Sequence, residues 1–154
     1  MLDNVLAVAI ANVVPTTEQI GGIILGLSLG MDPLTVLATS LTVNCLLFFP
    51  IYFGLRLLYK DVFSRIHLFE RYLERSRRKG KPYVDKYGFF GLTLFIALPT
   101  PLTGTYTASI VAWILDLDWK KSFAAIALGS TIGALVIFFG YIGAFNFLKT
   151  LFGF

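Results

Sequence analysis

The chain has 154 residues, enough for one domain, but 56% of them are apolar and only 14% are charged. A typical soluble domain is roughly 25% charged, and thirteen basic with nine acidic side chains cannot cover a globule of this size. The composition therefore excludes a soluble domain and predicts an integral membrane protein. The charges are also unevenly placed. None falls within residues 33–55, 87–115 or 122–148, and Glu18 is the only one between Asp3 and Asp32. Such stretches match the roughly 20 apolar residues that a spanning helix needs. Residues 56–86 hold ten of the thirteen basic side chains and four of the nine acids, a net of +6 against −2 for the rest. A basic cluster beside membrane spans marks the cytoplasmic side. The N-terminal Met-Leu-Asp-Asn lacks a basic region, so a cleaved signal peptide is not expected.

In chain order, the first apolar stretch is broken. It runs to Val14, meets Pro15-Thr16-Thr17-Glu18, and resumes through Gly21, Gly22, Gly26 and Gly30. Residues 33–58 follow as an uninterrupted spanning helix, entered through Asp32 and Pro33, a good cap and a good first helical residue. Residues 59–86 predict a surface helix with Val62, Ile66, Phe69 and Leu73 on its apolar face, stopped by Gly80 and Pro82. His67 on this helix reads as interfacial. A second broken stretch meets Pro99-Thr100-Pro101-Leu102-Thr103-Gly104 and resumes to Leu115. Residues 119–147 form the second spanning helix, entered through Asp118 and Trp119.

Each arm of a broken stretch has about 10–15 residues, too few to cross the hydrocarbon alone. Two re-entrant hairpins are expected. Sliding the chain by 86 positions places Leu29 on Leu115, Asp32 on Asp118, Ala38 on Ala124, and Ile51, Phe53 and Gly54 on Ile137, Phe139 and Gly140. With a slip of two, Pro15-Thr16 falls on Pro99-Thr100. Paired interrupted segments in two halves point to a transporter built from repeats, with its site near the midplane. Hairpins, unlike four full crossings, put Lys120 and Lys121 on the same side as residues 56–86, which gives the halves inverted topology. The expected fold is thus an all-α integral membrane domain over 1–154: repeat one at 1–58, a cytoplasmic amphipathic connector at 59–86, and repeat two at 87–154.

Glu18 is the main chemical candidate, because a carboxyl in hydrocarbon is costly unless function requires it. No basic residue precedes it, and the first that follows is Arg56. Burial favours its neutral form, and amides of the half-helix after Gly21 and Gly22 favour its charge. The alternative is that Glu18 only caps a broken helix. Around it, Thr17, Asn44, Thr103, Gly104, Thr105 and Thr107 are the expected substrate or ion ligands, with Pro15, Gly21, Gly22, Pro99 and Pro101 as helix breaks. The threonines equally suit amides freed by the prolines. Asn44 is expected to bond to a hairpin backbone across the helix interface. Asp116-Leu-Asp118 has the look of a two-carboxylate metal site, but its match to Asp32 favours capping. Gly129, Gly133, Gly140 and Gly143 predict close helix packing, within or between chains. With a single cysteine, Cys45, no disulfide or cysteine metal site is available. No intramembrane hydrolase motif occurs, so no catalytic residue, metal or cofactor is expected, and no nucleic-acid partner.

The run Glu18-Gln-Ile-Gly21-Gly-Ile23-Ile-Leu-Gly26, with Asn44 and Pro50 after it, resembles the first motif of the small multidrug export proteins. Pro99-Thr-Pro101-Leu-Thr103-Gly104-Thr-Tyr106-Thr107 resembles the second, with Tyr106 where Trp is usual. The chain departs from the pattern at Ile20, Ile24 and Leu102, where Arg, Pro and Gly are usual. The family is similar in architecture to the DedA/VTT membrane proteins, whose two re-entrant hairpins face each other; the arginine of their second hairpin has no counterpart here. The resemblance implies a multi-pass exporter of small molecules in the cytoplasmic membrane of a prokaryote; the isolation of Glu18 adds the expectation that it takes up and releases a proton or binds a cationic solute. With two full spans and two hairpins, one chain has few walls to enclose a path, so a homodimer is expected. The alternatives are a DedA-like lipid transporter and a non-transporting scaffold whose basic helix recruits partners.

Overall fold

Two of the helix starts are fixed by aspartate. Asp32 Oδ2 accepts the N–H and hydroxyl of Thr35 at 3.0 and 3.1 Å, and Pro33 opens the helix behind it. Asp118 Oδ1 likewise accepts the amides of Lys120 and Lys121 at 3.1 and 3.0 Å. Both residues are the caps that the sequence predicts, and Asp118 spends an oxygen on the helix that starts at Trp119.

The computed structural model describes residues 2–61, 67–98 and 104–152. They form six helices and no strand: α1 (Leu2–Val13), α2 (Glu18–Ser28), α3 (Pro33–Asp61), α4 (His67–Ala97), α5 (Thr105–Ile114) and α6 (Trp119–Phe152). Helices α3 and α6 have 29 and 34 residues and carry the two apolar segments long enough to cross a membrane. At 1.5 Å per residue they reach about 43 and 51 Å, beyond the roughly 30 Å of hydrocarbon. By contrast α1, α2 and α5 have 12, 11 and 10 residues, or about 15–18 Å each. Those are half-membrane lengths.

Helices α1 and α2 form an antiparallel hairpin with its tip at residues 14–17. A side chain at Gly22 would strike Asn12, and one at Gly26 would strike Val8 and Val36. Glycine therefore sets the close approach of α2 to α1 and α3. The long helices also run antiparallel, with Phe48 and Phe49 against Phe123 and Phe53 against Trp119.

The expected stop at Gly80 and Pro82 is not observed, since α4 continues through both to Ala97. An internal proline costs a helix about 3 kcal/mol, which ends it only where nothing beyond holds it. Here the apolar segment beyond packs along α6, with Leu92 and Ile96 buried in the core. The apolar face expected at Val62, Ile66, Phe69 and Leu73 lies outside the described side chains. The second break does end α4 at Ala97 and starts α5 at Thr105; Pro99, Pro101 and Thr103 lie outside the described residues.

Packing and backbone recur at the spacing of 86. Phe48 packs on Phe123 in one core cluster; their counterparts, Ala134 and Leu37, belong to the other. The turn after α2 holds Gly30 at φ +69°, with bonds from Leu29 to Leu25, Gly30 to Leu27 and Met31 to Gly26. The turn after α5 holds Asp116 at φ +54°, with bonds from Leu115 to Val111, Asp116 to Trp113 and Leu117 to Ala112. Each is a left-handed helix cap. Gly129 and Gly133 meet the Thr93 and Ile96 backbone of α4, so that pair packs within the chain. Gly140 and Gly143, also expected to pack closely, face open space among the described residues.

The two caps make a testable pair. No atom lies within 4 Å of a side chain built at Gly30, so only its backbone angle matters there. Gly30→Ala is expected to cost about 1–2 kcal/mol. Asp116→Gly is expected to leave stability unchanged or raise it by less than that. Thermal unfolding in detergent, followed by circular dichroism, checks both.

Candidate functional site

A broken helix leaves its first amides without partners, and among the described residues neither break supplies a local side-chain cap. Thr17 before α2 makes no capping bond, and Gly104 before α5 has no side chain to make one. The site grows from how those amides are satisfied. Glu18, the first residue of α2, is 8% exposed and turns across to the other break. There the Thr105 N–H donates to Glu18 Oε2 at 2.8 Å. A carboxylate from one hairpin thus caps the half-helix of the other, where the helix dipole favours negative charge. The geometry requires glycine at 104, since a side chain there would overlap the carboxyl group. Glu18 itself has φ +39°, a left-handed conformation uncommon for a residue with a side chain.

Asn44, at mid-α3, joins both hairpins. Its Oδ1 accepts the Thr105 hydroxyl at 3.1 Å. Its Nδ2 donates to Asn12 Oδ1 at 3.1 Å and to the Ser40 carbonyl at 2.9 Å. Asn12 Nδ2 donates in turn to Ser40 Oγ at 3.1 Å and to the Val8 carbonyl at 2.7 Å. Asn12, Ser40, Asn44 and Thr105 are each at most 1% exposed, so each bond replaces a lost hydration partner. The expected link from Asn44 to a hairpin backbone is corrected: across the interface it meets the side chains of Asn12 and Thr105.

Two further bonds hold the hairpins in place. Tyr106 donates its hydroxyl to the Val13 carbonyl at 2.6 Å, and Gln19 Nε2 donates to the Ser130 carbonyl of α6 at 2.9 Å. The spacing of 86 carries Gln19 onto Thr105 and Ser130 onto Asn44. The α2–α6 and α3–α5 contacts therefore use matching positions. Between them lies a cavity of about 30 Å³, bordered by Glu18, Gln19, Ile20, Asn44, Thr105 and Ser130. That space suffices for a water molecule or an ion of similar size. Ser130 Oγ is buried beside it and has no hydrogen-bond partner among the described residues. No basic side chain is among the residues bordering the cavity.

Of the residues expected from sequence, Glu18, Asn44, Gly104 and Thr105 converge here. Thr17 and Pro15 border the cavity from the hairpin tip, where the Thr17 hydroxyl donates to the Ala11 carbonyl at 2.8 Å and closes the turn. Gly22 admits Asn12, and Gly21 lies against Thr17. Thr107 sits on α5 and does not border the cavity. Thr103, Pro99 and Pro101 lie outside the described residues. Sequence reasoning missed Asn12, Gln19, Ser40 and Ser130. Asn12 stands alone among apolar neighbours, the same signal that singles out Asn44; the other three carry no comparable mark.

Residues 18–136, most of the chain, match the model of the family described as small multi-drug export protein, and the chain belongs to that family. No curated protein and no solved structure matches it.

The contact between positions 18 and 104 predicts strong coupling. Gly104→Ala is expected to expel the carboxyl group and lose the Thr105 bond, lowering stability by about 1.5–3 kcal/mol. In a Glu18→Ala background the same substitution is expected to cost far less. A double-mutant cycle of unfolding temperatures in detergent checks the pair.

Proposed function

We propose that the protein exports small molecules across a membrane through a site where two re-entrant hairpins meet, with Glu18 as its switching group. One observation carries the reading: a buried carboxylate of one hairpin holds the first amide of the other, beside a cavity with an unpartnered hydroxyl. Half-membrane helix lengths, antiparallel long helices and the recurrence at 86 support two inverted repeats. Membership of an export family supports transport, and no catalytic chemistry is part of the proposal.

In this mechanism the Glu18 charge is used to hold α5. A proton, or a cationic solute, taken up at Glu18 removes that charge and weakens the Thr105 bond. The tips then separate and the cavity opens to one side. Release of the proton or solute restores the bond and closes the site. The cavity's lack of basic side chains favours neutral or cationic cargo over phosphate-bearing cargo. The proposal includes a homodimer, whose second copy walls the path that two spans and two hairpins leave open, in the cytoplasmic membrane of a prokaryote.

Glu18→Gln tests the switch. Glutamine keeps the shape, and its amide oxygen still accepts the Thr105 N–H, so folding and insertion are expected to persist. Efflux of cationic dyes from proteoliposomes under a pH gradient is expected to fall to the level of protein-free vesicles. Unchanged efflux with unchanged pH dependence would leave Glu18 as a helix cap alone. Topology is tested separately, on a Cys45→Ala background. Cysteines at positions 79 and 120 are expected to label from one side of the membrane, and a cysteine at position 4 from the other.

A further inference from the structure

Helices α4 and α5 enclose an apolar groove that no side chain of the described residues fills. Its volume is about 490 Å³, with Tyr87, Phe90, Leu94, Phe95, Val111 and Leu115 among its walls. Phe90 and Leu94 are 75% and 66% exposed. Along α4 the groove runs from Tyr87 to Phe95, about 12 Å, close to the roughly 15 Å depth of one leaflet.

The groove does not end in apolar surface. Tyr87, Gly88, Phe90 and Leu117 also border a second hollow, of about 460 Å³, which holds Lys86, Lys121, Asp116, Asp118 and Ser122. The two hollows share four wall residues and adjoin, one apolar along its length and the other charged. The charged end has a definite composition. Lys86 lies over the Tyr87 ring with its Nζ 5.0 Å from the centroid, which places one ammonium at the junction of the hollows. Lys121 brings a second from the first turn of α6. Asp118 has one oxygen engaged by the α6 amides. Asp116 is exposed in its left-handed turn, and its carboxylate accepts no hydrogen bond among the described residues.

Among the described side chains the two ammonium groups and two carboxylates sum to no net charge, so this mouth does not favour a bare anion. It complements a headgroup that carries both signs. We infer that the adjoining hollows bind an ethanolamine glycerophospholipid: one acyl chain lies in the α4–α5 groove, the phosphate between Lys86 and Lys121, and the primary amine against Asp116. Basic pockets between membrane helices bind lipid headgroups in this manner, and the acidic partner selects the amine. The mouth adjoins the end of the basic segment 56–86, which places the lipid in the leaflet on that side. The inference needs only that the chain is embedded in a bilayer. It does not depend on the export reading or on the site at Glu18.

The test uses the full chain, purified and delipidated in detergent. Phosphatidylethanolamine, phosphatidylglycerol and phosphatidylcholine with identical chains are added in turn, and bound lipid is read by native mass spectrometry beside the unfolding temperature. Phosphatidylethanolamine is expected to be retained best and to raise the unfolding temperature most. Lys121→Ala is expected to weaken its binding about tenfold, the loss of one charge-assisted hydrogen bond. Asp116→Asn, which tolerates the left-handed turn, is expected to remove the preference over phosphatidylglycerol. Gly91 borders the groove, and a side-chain carbon there has room, with its nearest neighbour at 3.6 Å. Gly91→Leu is therefore expected to fill the groove and abolish retention of all three lipids, while Gly91→Ala retains them. Equal retention of the three lipids, a preference for phosphatidylglycerol, or retention unchanged in a folded Gly91→Leu variant would each overturn the assignment.

Discussion

The structure turns on one hydrogen bond, from the Thr105 amide to the Glu18 carboxylate. A helix broken inside an apolar environment leaves amides that water cannot reach, and each costs several kcal/mol if unmet. At the first break the Thr17 and Glu18 amides are met locally by the Val14 carbonyl, whereas among the described residues of the second no neighbouring side chain caps α5. The remedy comes across the chain, from a residue 87 positions away. That choice binds the tip of one hairpin to the tip of the other, and Asn44 extends the bond into the first long helix. Because Asn44 also holds Asn12, both hairpins and α3 meet in a single buried network. Removing any member strands its partners, so the network is cooperative in the sense that matters for rigidity.

The positions 18 and 104 are 86 apart, and they touch. If both carried carboxylates, two charges would compete for one small space, and Gly104 shows that not even a methyl group fits. One position must therefore give way, and glycine is the residue that can. The same division appears elsewhere at this spacing. Gly30 and Asp116 share a left-handed turn with different side chains; Asn44 and Ser130 share a helix position, one fully bonded and one with its hydroxyl unpartnered. The backbone keeps the correspondence while the side chains diverge, which is why only six identities mark it in the 29 positions from Gly26 to Gly54.

What the sequence disclosed follows from how local each signal is. Asp32, Pro33 and Asp118 act within one helix turn, so their roles are legible without any fold. Glu18 and Asn44 are legible because a polar group among apolar neighbours needs a partner, though not which partner. Gln19 and Ser130 are 111 positions apart, and nothing in either segment announces the other. The threonines of the second break drew notice as hydroxyls, whereas the Thr105 contribution is as much an amide as a hydroxyl. Pro82 misled for the opposite reason: its local preference is real, but the packing of Leu92 and Ile96 outweighs it.

The size of the Glu18 bond also limits what it could do as a switch. A hydrogen bond to a charged group contributes about 1.5–3 kcal/mol net, equivalent to about a ten- to 150-fold change in a conformational equilibrium. That is too little to drive a strongly closed state fully open, which takes roughly 5.5 kcal/mol for a shift from 1:99 to 99:1. Glu18 alone could therefore gate the site only if the closed and open arrangements are already near balance. The uncommon backbone angle of Glu18 works toward that balance, since a left-handed conformation costs about 1–3 kcal/mol and is retained only while its surroundings hold it. Loss of the bond leaves that strain uncompensated, so the strain sets how near balance the closed arrangement starts and the bond sets how far the equilibrium moves. The switch available from this side chain is therefore the bond alone, about 1.5–3 kcal/mol, enough to move an equilibrium that the strain already holds near its midpoint.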